Sequence, residues 1–318
     1  MLEYWNNGKR HTSLTQYSIL PLFLIEEKSM KPFDYLCPKS VQELVKVLYR
    51  YDGKACVLAG GTDLLVMMKQ GKISPQYLVS LKKIRNLAYI REQKNGGVKI
   101  GANTLLREIE SSHLIQKRYA LLSKAAEWIG SKQVRWRATC GGNLCNGAPS
   151  ADLAPPLICL GAKVVLTGKA KRTISLEQFF LGPGQVALKR GEFLQEVVVP
   201  PLGRGTFGTF LKFTRSALDI AIVGVAVVGS FKKGGECTDL KICLGAVAPT
   251  PLRAVAAEKM GAGKRLDEEL VGAIARMASQ EAKPIDDVRG TIYLRRTLVE
   301  GLTKKALLEC LEQARENL

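Results

Sequence analysis

Histidine is almost absent from this chain: His11 and His113 are the only two in 318 residues. Imidazole is the most frequent general base and a common zinc ligand, so histidine acid–base catalysis and zinc chemistry are both poorly supplied. Eight cysteines occur, at positions 37, 56, 140, 145, 159, 237, 243 and 310, but none are spaced as C-x-x-C. Cys140 and Cys145 have a ligand-like spacing, yet Ala148 stands where a plant-type iron–sulfur site needs its next cysteine. No metal site is expected, and the cysteines read as free, mostly buried thiols. No apolar run is long enough for a bilayer. Ile19–Ile25 falls far short of the roughly 20 residues a spanning helix needs, and no small-residue cleavage pattern follows it. The expectation is a chain without a membrane segment, in the reducing cytoplasm.

Acidic residues are also scarce, 29 against 47 lysines and arginines, giving a formal net charge of +18. Such a charge draws anions. The basic residues are scattered singly from Lys9 to Arg315 and form no dense block, which argues against nucleic acid. Two nucleotide motifs are missing as well. No G-x-G-x-x-G joins a strand to a helix and no G-x-x-x-x-G-K-[ST] is present, so neither a Rossmann site nor a P-loop is expected.

What remains is an ordinary globular composition, 46% hydrophobic and 24% charged, with length enough for two domains. Ser40 and Glu43 have capping-box spacing ahead of a helix that carries Val41, Leu44, Val45 and Leu48 on one face. A strand over 54–59 ends at Gly60-Gly61, Thr62-Asp63 can cap the apolar segment 64–68, and 77–81 reads as the next strand. A second unit has a strand at 98–102, Thr104 as N-cap of 105–110, a helix over 119–129 and a second glycine pair, Gly141-Gly142. Strands follow at 163–166 and 196–199, and Pro200-Pro201-Leu202-Gly203 marks a linker at about 200–206. Beyond it, 220–231 and 239–246 read as strands joined across Lys232-Lys-Gly-Gly235. Helices come last, the final one with Leu294, Leu298, Leu302, Ala306 and Cys310 facing a core.

Glycine pairs at strand ends let the backbone take φ > 0 and turn several N–H groups toward one point, a nest for phosphate oxygens. Two such loops on two αβ units can clamp a diphosphate, which suits a dinucleotide.

The residues around both pairs carry a resemblance: Leu58-Ala-Gly-Gly-Thr-Asp-Leu64, Ile100-Gly-Ala-Asn-Thr104 and Thr139-Cys-Gly-Gly-Asn-Leu-Cys-Asn-Gly-Ala-Pro-Ser-Ala-Asp152. It continues in order through Phe180-Leu-Gly-Pro-Gly184, Gly191-Glu-Phe-Leu194, Lys212, Asp219-Ile-Ala221, Ala248-Pro-Thr-Pro-Leu-Arg253 and Asp287-Val-Arg-Gly290. Over about 30–308 the chain resembles the FAD-binding medium subunit of the molybdenum hydroxylases, the group of xanthine dehydrogenase and aerobic carbon monoxide dehydrogenase. The resemblance implies an α+β fold: a p-cresol methylhydroxylase-type FAD-binding domain of two subdomains, then a smaller C-terminal domain of antiparallel sheet and helices. The expected bounds are 30–203, with subdomains at about 30–85 and 86–203, and 207–318. Residues 1–29 look like an extension that is poorly ordered and dispensable for flavin binding.

Carried onto matching positions, Ala59, Gly60, Gly61, Thr62, Asp63 and Leu64, with Thr139, Cys140, Gly141, Gly142 and Asn143, would wrap the diphosphate of a non-covalent FAD, mainly through backbone N–H groups. Thr104 would support the same region. Asp152 would accept from the ribose or adenine end, Leu194 would lie against the adenine, and Lys212 would sit at the flavin carbonyl edge. Two departures narrow the resemblance. Thr62-Asp63 stands where carbon monoxide dehydrogenase subunits carry His-Ser, which points to the hydroxylase and xanthine dehydrogenase branch. Asn146 to Pro155 leaves no room for the cysteine-rich cluster loop of a benzoyl-CoA reductase relative.

The resemblance thus implies an oxidoreductase subunit with no catalytic nucleophile or base of its own. A small partner with two [2Fe-2S] clusters and a large partner with molybdopterin, in a dimer of heterotrimers, would deliver electrons through FAD to NAD or another acceptor. A stand-alone FAD oxidoreductase of the same fold and a non-redox basic anion- or nucleic-acid-binding protein are the alternatives.

Overall fold

The computed structural model describes residues 30–318; the expected extension over 1–29 lies outside the described residues. Three larger sheets are laid out in chain order, with a two-stranded ribbon of Phe180–Gly182 and Gln185–Val186 besides. The first is parallel, with Tyr77–Ser80 between Asp34–Leu36 and Ala55–Leu58. Helix Val41–Arg50 packs beside it because Leu44 and Leu48 fall on one face and are buried with Val79, Leu81, Ile84, Leu87 and Phe193. Ser40 Oγ caps this helix by accepting from Glu43 N at 3.1 Å, while the Glu43 carboxylate reaches one residue further back than a capping box requires, to Lys39 N at 2.7 Å.

The second sheet is antiparallel and five-stranded, in the order Ile90–Glu92, Val98–Gly101, Phe193–Val199, Lys163–Thr167, Lys171–Ser175. The central strand bulges at Gln195, between the Leu194–Leu166 and Glu196–Val165 pairs, which turns Leu194 and Val197 into the same core. Helices Leu106–Ser111, Ala120–Glu127, Cys140–Cys145 and Ala154–Cys159 contribute to that core. Thr104 does not cap the first of them. Its hydroxyl is held by the backbone of Tyr89, and Glu108 satisfies Leu105 N instead.

The third sheet joins Thr206–Phe213, Val223–Phe231, Glu236–Gly245 and Leu252–Arg253 in antiparallel order. The expected hairpin forms across Lys232–Gly235, where Gly234 and Gly235 both take positive φ. The strand Thr206–Phe213 escapes the sequence reading. Its neighbours explain why: the sheet is buried on both faces, so the clean alternation of a half-exposed strand is absent. Phe210, Ala226, Val228 and Cys243 point into the core of the second sheet's helices, whereas Leu211, Val225, Val227, Ile242 and Leu244 face a core shared with Glu268–Glu281 and Ile292–Asn317. The observed architecture is α+β. Among the described residues no helix is long and apolar enough to cross a membrane, and no three His, Cys, Asp or Glu side chains are grouped to hold a metal.

Candidate functional site

A cleft of three connected lobes gathers residues from all three sheets. The central lobe, about 340 Å³, is lined by Ala59 to Leu64 together with Gly142, Cys145 and Asn146. On one side it opens into a small apolar lobe of about 110 Å³, walled by Leu81, Gly141, Phe193 and Leu194. On the other, through Thr62, Asp63 and Asn146, it meets a polar lobe of about 270 Å³ that holds Asn143, Asp152, Lys212 and Asp219. The order apolar, backbone-lined, polar suits an elongated ligand with an anionic middle.

The first glycine loop behaves as its sequence suggests. Gly61 has φ +79°, a conformation a side chain resists, and a Cβ on Gly60 would lie 2.0 Å from the carbonyl oxygen of Arg137. The loop is therefore pressed against the 137–138 backbone with no room for any other residue. Among the described residues, none of the N–H groups of Gly60, Gly61, Thr62 and Asp63 donates to a protein acceptor. Asp63 precedes helix Leu64–Lys69 without capping it, contrary to the expected cap. These donors and the positive end of a short helix border the central lobe.

The second pair is different, and the expectation of a φ > 0 nest fails there. Gly141 and Gly142 lie in the first turn of helix Cys140–Cys145, capped by Thr139 Oγ, which accepts from Gly142 N at 3.0 Å. Neither has positive φ. Cys140 N donates to Thr104 O, Gly141 N to Ala102 O and Asn143 N to Thr139 O. All four N–H groups from 140 to 143 are thus spent inside the protein, and this segment cannot wrap a diphosphate through them. The glycines serve close packing: a Cβ on Gly141 would lie 2.7 Å from Ala102 Cβ.

Side-chain positions also redistribute the expected roles. Cys140 and Thr104 are buried at 0% and 1% exposure and line none of the three lobes; burial pushes the Cys140 thiol up to about 12, so it stays protonated. Thr139 is likewise a cap. Asp152 and Lys212, expected at opposite ends of a dinucleotide, form one ion pair of 2.7 Å in the polar lobe. Lys212 comes from the strand Thr206–Phe213 and Asp152 from the loop before Ala154–Cys159, so the pair stitches two cores together. The ammonium also donates to Trp128 O at 3.0 Å, which leaves one of its three N–H groups for the cleft. Burial raises Asp152 to about 6, and the adjacent lysine only partly offsets that cost. Leu194 sits in the other lobe, away from both.

Cys145, Asn146, Leu188 and Ile129 line the cleft but were not assigned to a binding site from sequence. For two of them a signal existed. Once Gly142 is read as helical, Cys145 and Asn146 follow at i+3 and i+4 on the same face. One buried atom remains unmatched in this region: Asn143 Oδ1 has no partner within the protein. An orphaned acceptor beside unspent N–H donors and a buried ammonium fits a ligand that brings both hydroxyls and anionic oxygens, as FAD does.

The sequence matches the FAD binding domain in molybdopterin dehydrogenase over residues 31–202 and the CO dehydrogenase flavoprotein C-terminal domain over residues 208–310. The chain belongs to this flavoprotein family. It is 34% identical over 278 residues to the glyceraldehyde dehydrogenase medium chain of Sulfolobus acidocaldarius, covering 87% of this chain and 98% of that one. Against the carbon monoxide dehydrogenase medium chain of Hydrogenophaga pseudoflava the identity is 36% over 276 residues, with 86% and 96% covered. The structure of carbon monoxide dehydrogenase from that organism, lacking the Mo-pyranopterin moiety of its cofactor, superposes with a TM-score of 0.86 at 37% identity, covering 89% of this chain and 98% of that one. The xanthine dehydrogenase FAD-binding subunit of Escherichia coli O157:H7 is 30% identical, with 82% and 90% covered. Overall identity therefore does not follow the two residues Thr62-Asp63, which had pointed to the hydroxylase and xanthine dehydrogenase branch. The chain is an FAD-binding subunit of the molybdenum hydroxylase type, an oxidoreductase component.

Proposed function

We propose that this chain is the electron-transfer flavoprotein of a complex in which a small [2Fe-2S] subunit and a large molybdopterin subunit oxidise an organic substrate, arranged as a dimer of heterotrimers. Electrons then leave through FAD to NAD or another acceptor. Residues 30–203 would form the FAD-binding domain and 207–318 the C-terminal domain, working in the cytoplasm, where the eight free thiols are at home. The observation that carries this reading is the row of unspent N–H groups from Gly60 to Asp63, set between an apolar lobe and the buried Asp152–Lys212 pair.

When bound, FAD supplies the exchange between single electrons and hydride pairs; the protein supplies position and field. The Gly60–Asp63 donors would hold the diphosphate. Leu194, Leu81 and Phe193 would shelter the adenine, and Lys212 would present its remaining N–H to the flavin. Asp152 keeps that ammonium fixed, and Asn143 accepts from the ligand at its buried oxygen. This differs from what the family resemblance implies, which is Asp152 at the ribose or adenine end.

The deciding experiment is the visible spectrum of the purified chain, with the released cofactor identified by chromatography. Flavin bands, FAD on denaturation and no iron–sulfur shoulder support the proposal; turnover of a small substrate by the chain alone would favour a stand-alone oxidoreductase. A colourless protein that takes up no added FAD would refute both.

A further inference from the structure

Ile129 and Gly130 wall the polar lobe that holds Lys212, and with Trp128 they form the segment just past the C-terminal end of helix Ala120–Glu127. Carbonyls at a helix end carry partial negative charge and lack partners within the helix. Here three successive ones are claimed by two buried cations. Lys212 Nζ takes Trp128 O at 3.0 Å, and the Arg135 guanidinium takes Gly130 O at 2.9 Å and Ile129 O at 3.3 Å through a single nitrogen. Arg135 is in turn oriented by Glu110, which accepts from its Nε at 2.8 Å; their side chains are 7% and 13% exposed. Gly130, with φ +51°, makes the reversal that lets both carbonyls face one arginine.

We propose that Arg135 is a positioning residue for Lys212. Resting on the reading of this lobe as the flavin end, Arg135 fixes the Trp128–Gly130 segment, Trp128 O fixes the ammonium, and the ammonium's place sets how strongly reduced FAD is favoured over oxidised. Neither Arg135 nor Glu110 lines the lobe, so their contact with it runs through the segment. Lysine cannot reproduce it, because one ammonium lacks the planar fork that serves two carbonyls and a carboxylate together.

The test uses the full chain loaded with FAD and measures the midpoint potential against a reference dye, alongside far-UV circular dichroism. Arg135→Gln should retain the fold and weaken reduced relative to oxidised FAD about tenfold, a fall of roughly 30 mV for a two-electron couple. Arg135→Lys should recover less than half of that shift. In a Lys212→Gln background, Arg135→Gln should add nothing further, since the path to the flavin is already cut. An equal shift in both backgrounds, or no shift in the single variant, overturns the proposal. If Arg135→Gln does not fold, Glu110→Gln takes its place, with a smaller shift of the same sign and the same non-additivity required. Failure of the wild-type chain to hold FAD would instead sink the flavin reading itself, and the two failures are told apart at that first step.

Discussion

The two glycine pairs look alike in sequence and do opposite work. Gly60-Gly61 leaves its N–H groups unspent and opens on the cleft, whereas the N–H groups around Gly141-Gly142 are consumed by Thr104, Ala102 and Thr139. The first has the free donors that a ligand loop requires. The second is a buttress: its helix supports the cleft from behind and presents Cys145 and Asn146. A backbone nest needs both the right φ and donors that nothing else has taken, and only the first pair meets both conditions.

Substitution should separate these roles. Gly60→Ala forces a Cβ to within 2.0 Å of the Arg137 carbonyl and should cost on the order of 3 kcal/mol of stability in urea unfolding, with FAD binding lost as well. Gly141→Ala, 2.7 Å from Ala102, should cost about 2 kcal/mol, and its FAD affinity should track stability, because the Gly141 N–H is already spent on Ala102 O. Gly61→Ala pays the left-handed penalty of about 1–2 kcal/mol and should weaken FAD roughly tenfold by fluorescence titration. A Gly141→Ala protein that is stable yet flavin-free would erase the distinction.

Smaller effects sharpen it further. Asp152 is raised on folding from 3.8 to about 6, so its share of stability is fully present below about pH 4 and is lost as pH climbs through 6. FAD-free wild type should therefore lose stability relative to Asp152→Asn between pH 4 and 7, read from paired urea midpoints; a constant difference would mean the carboxylate is not paying for its burial. Least of all, Gly142→Ala meets only the Thr139 hydroxyl at 2.9 Å. It should disturb the cap by about 1 kcal/mol or less and leave FAD affinity almost unchanged.

Much of this is legible in the sequence alone. The strand that ends at Gly60, the hairpin at Lys232–Gly235 and the amphipathic C-terminal helix follow from short-range pattern. The helical setting of Gly141-Gly142 was signalled by Thr139 as N-cap, but the glycines themselves read as a turn. Lys212 carried no local sign at all: its strand is covered on both faces, and its partner Asp152 lies 60 residues earlier. Pairing of that kind is decided by tertiary packing, so only the family pattern pointed to either residue, and it could not show that they touch.

The doubly covered C-terminal sheet has a consequence for how the chain is made. Phe210, Ala226, Val228 and Cys243 complete a core whose other members all precede residue 200. During synthesis, that earlier part leaves the ribosome with an open apolar face, and at about 5–20 residues per second the strands that close it arrive only seconds later. For that interval the nascent flavoprotein is a client for any chaperone that recognises bare hydrophobic surface, and a chain truncated at the Pro200-Pro201 linker would remain one permanently.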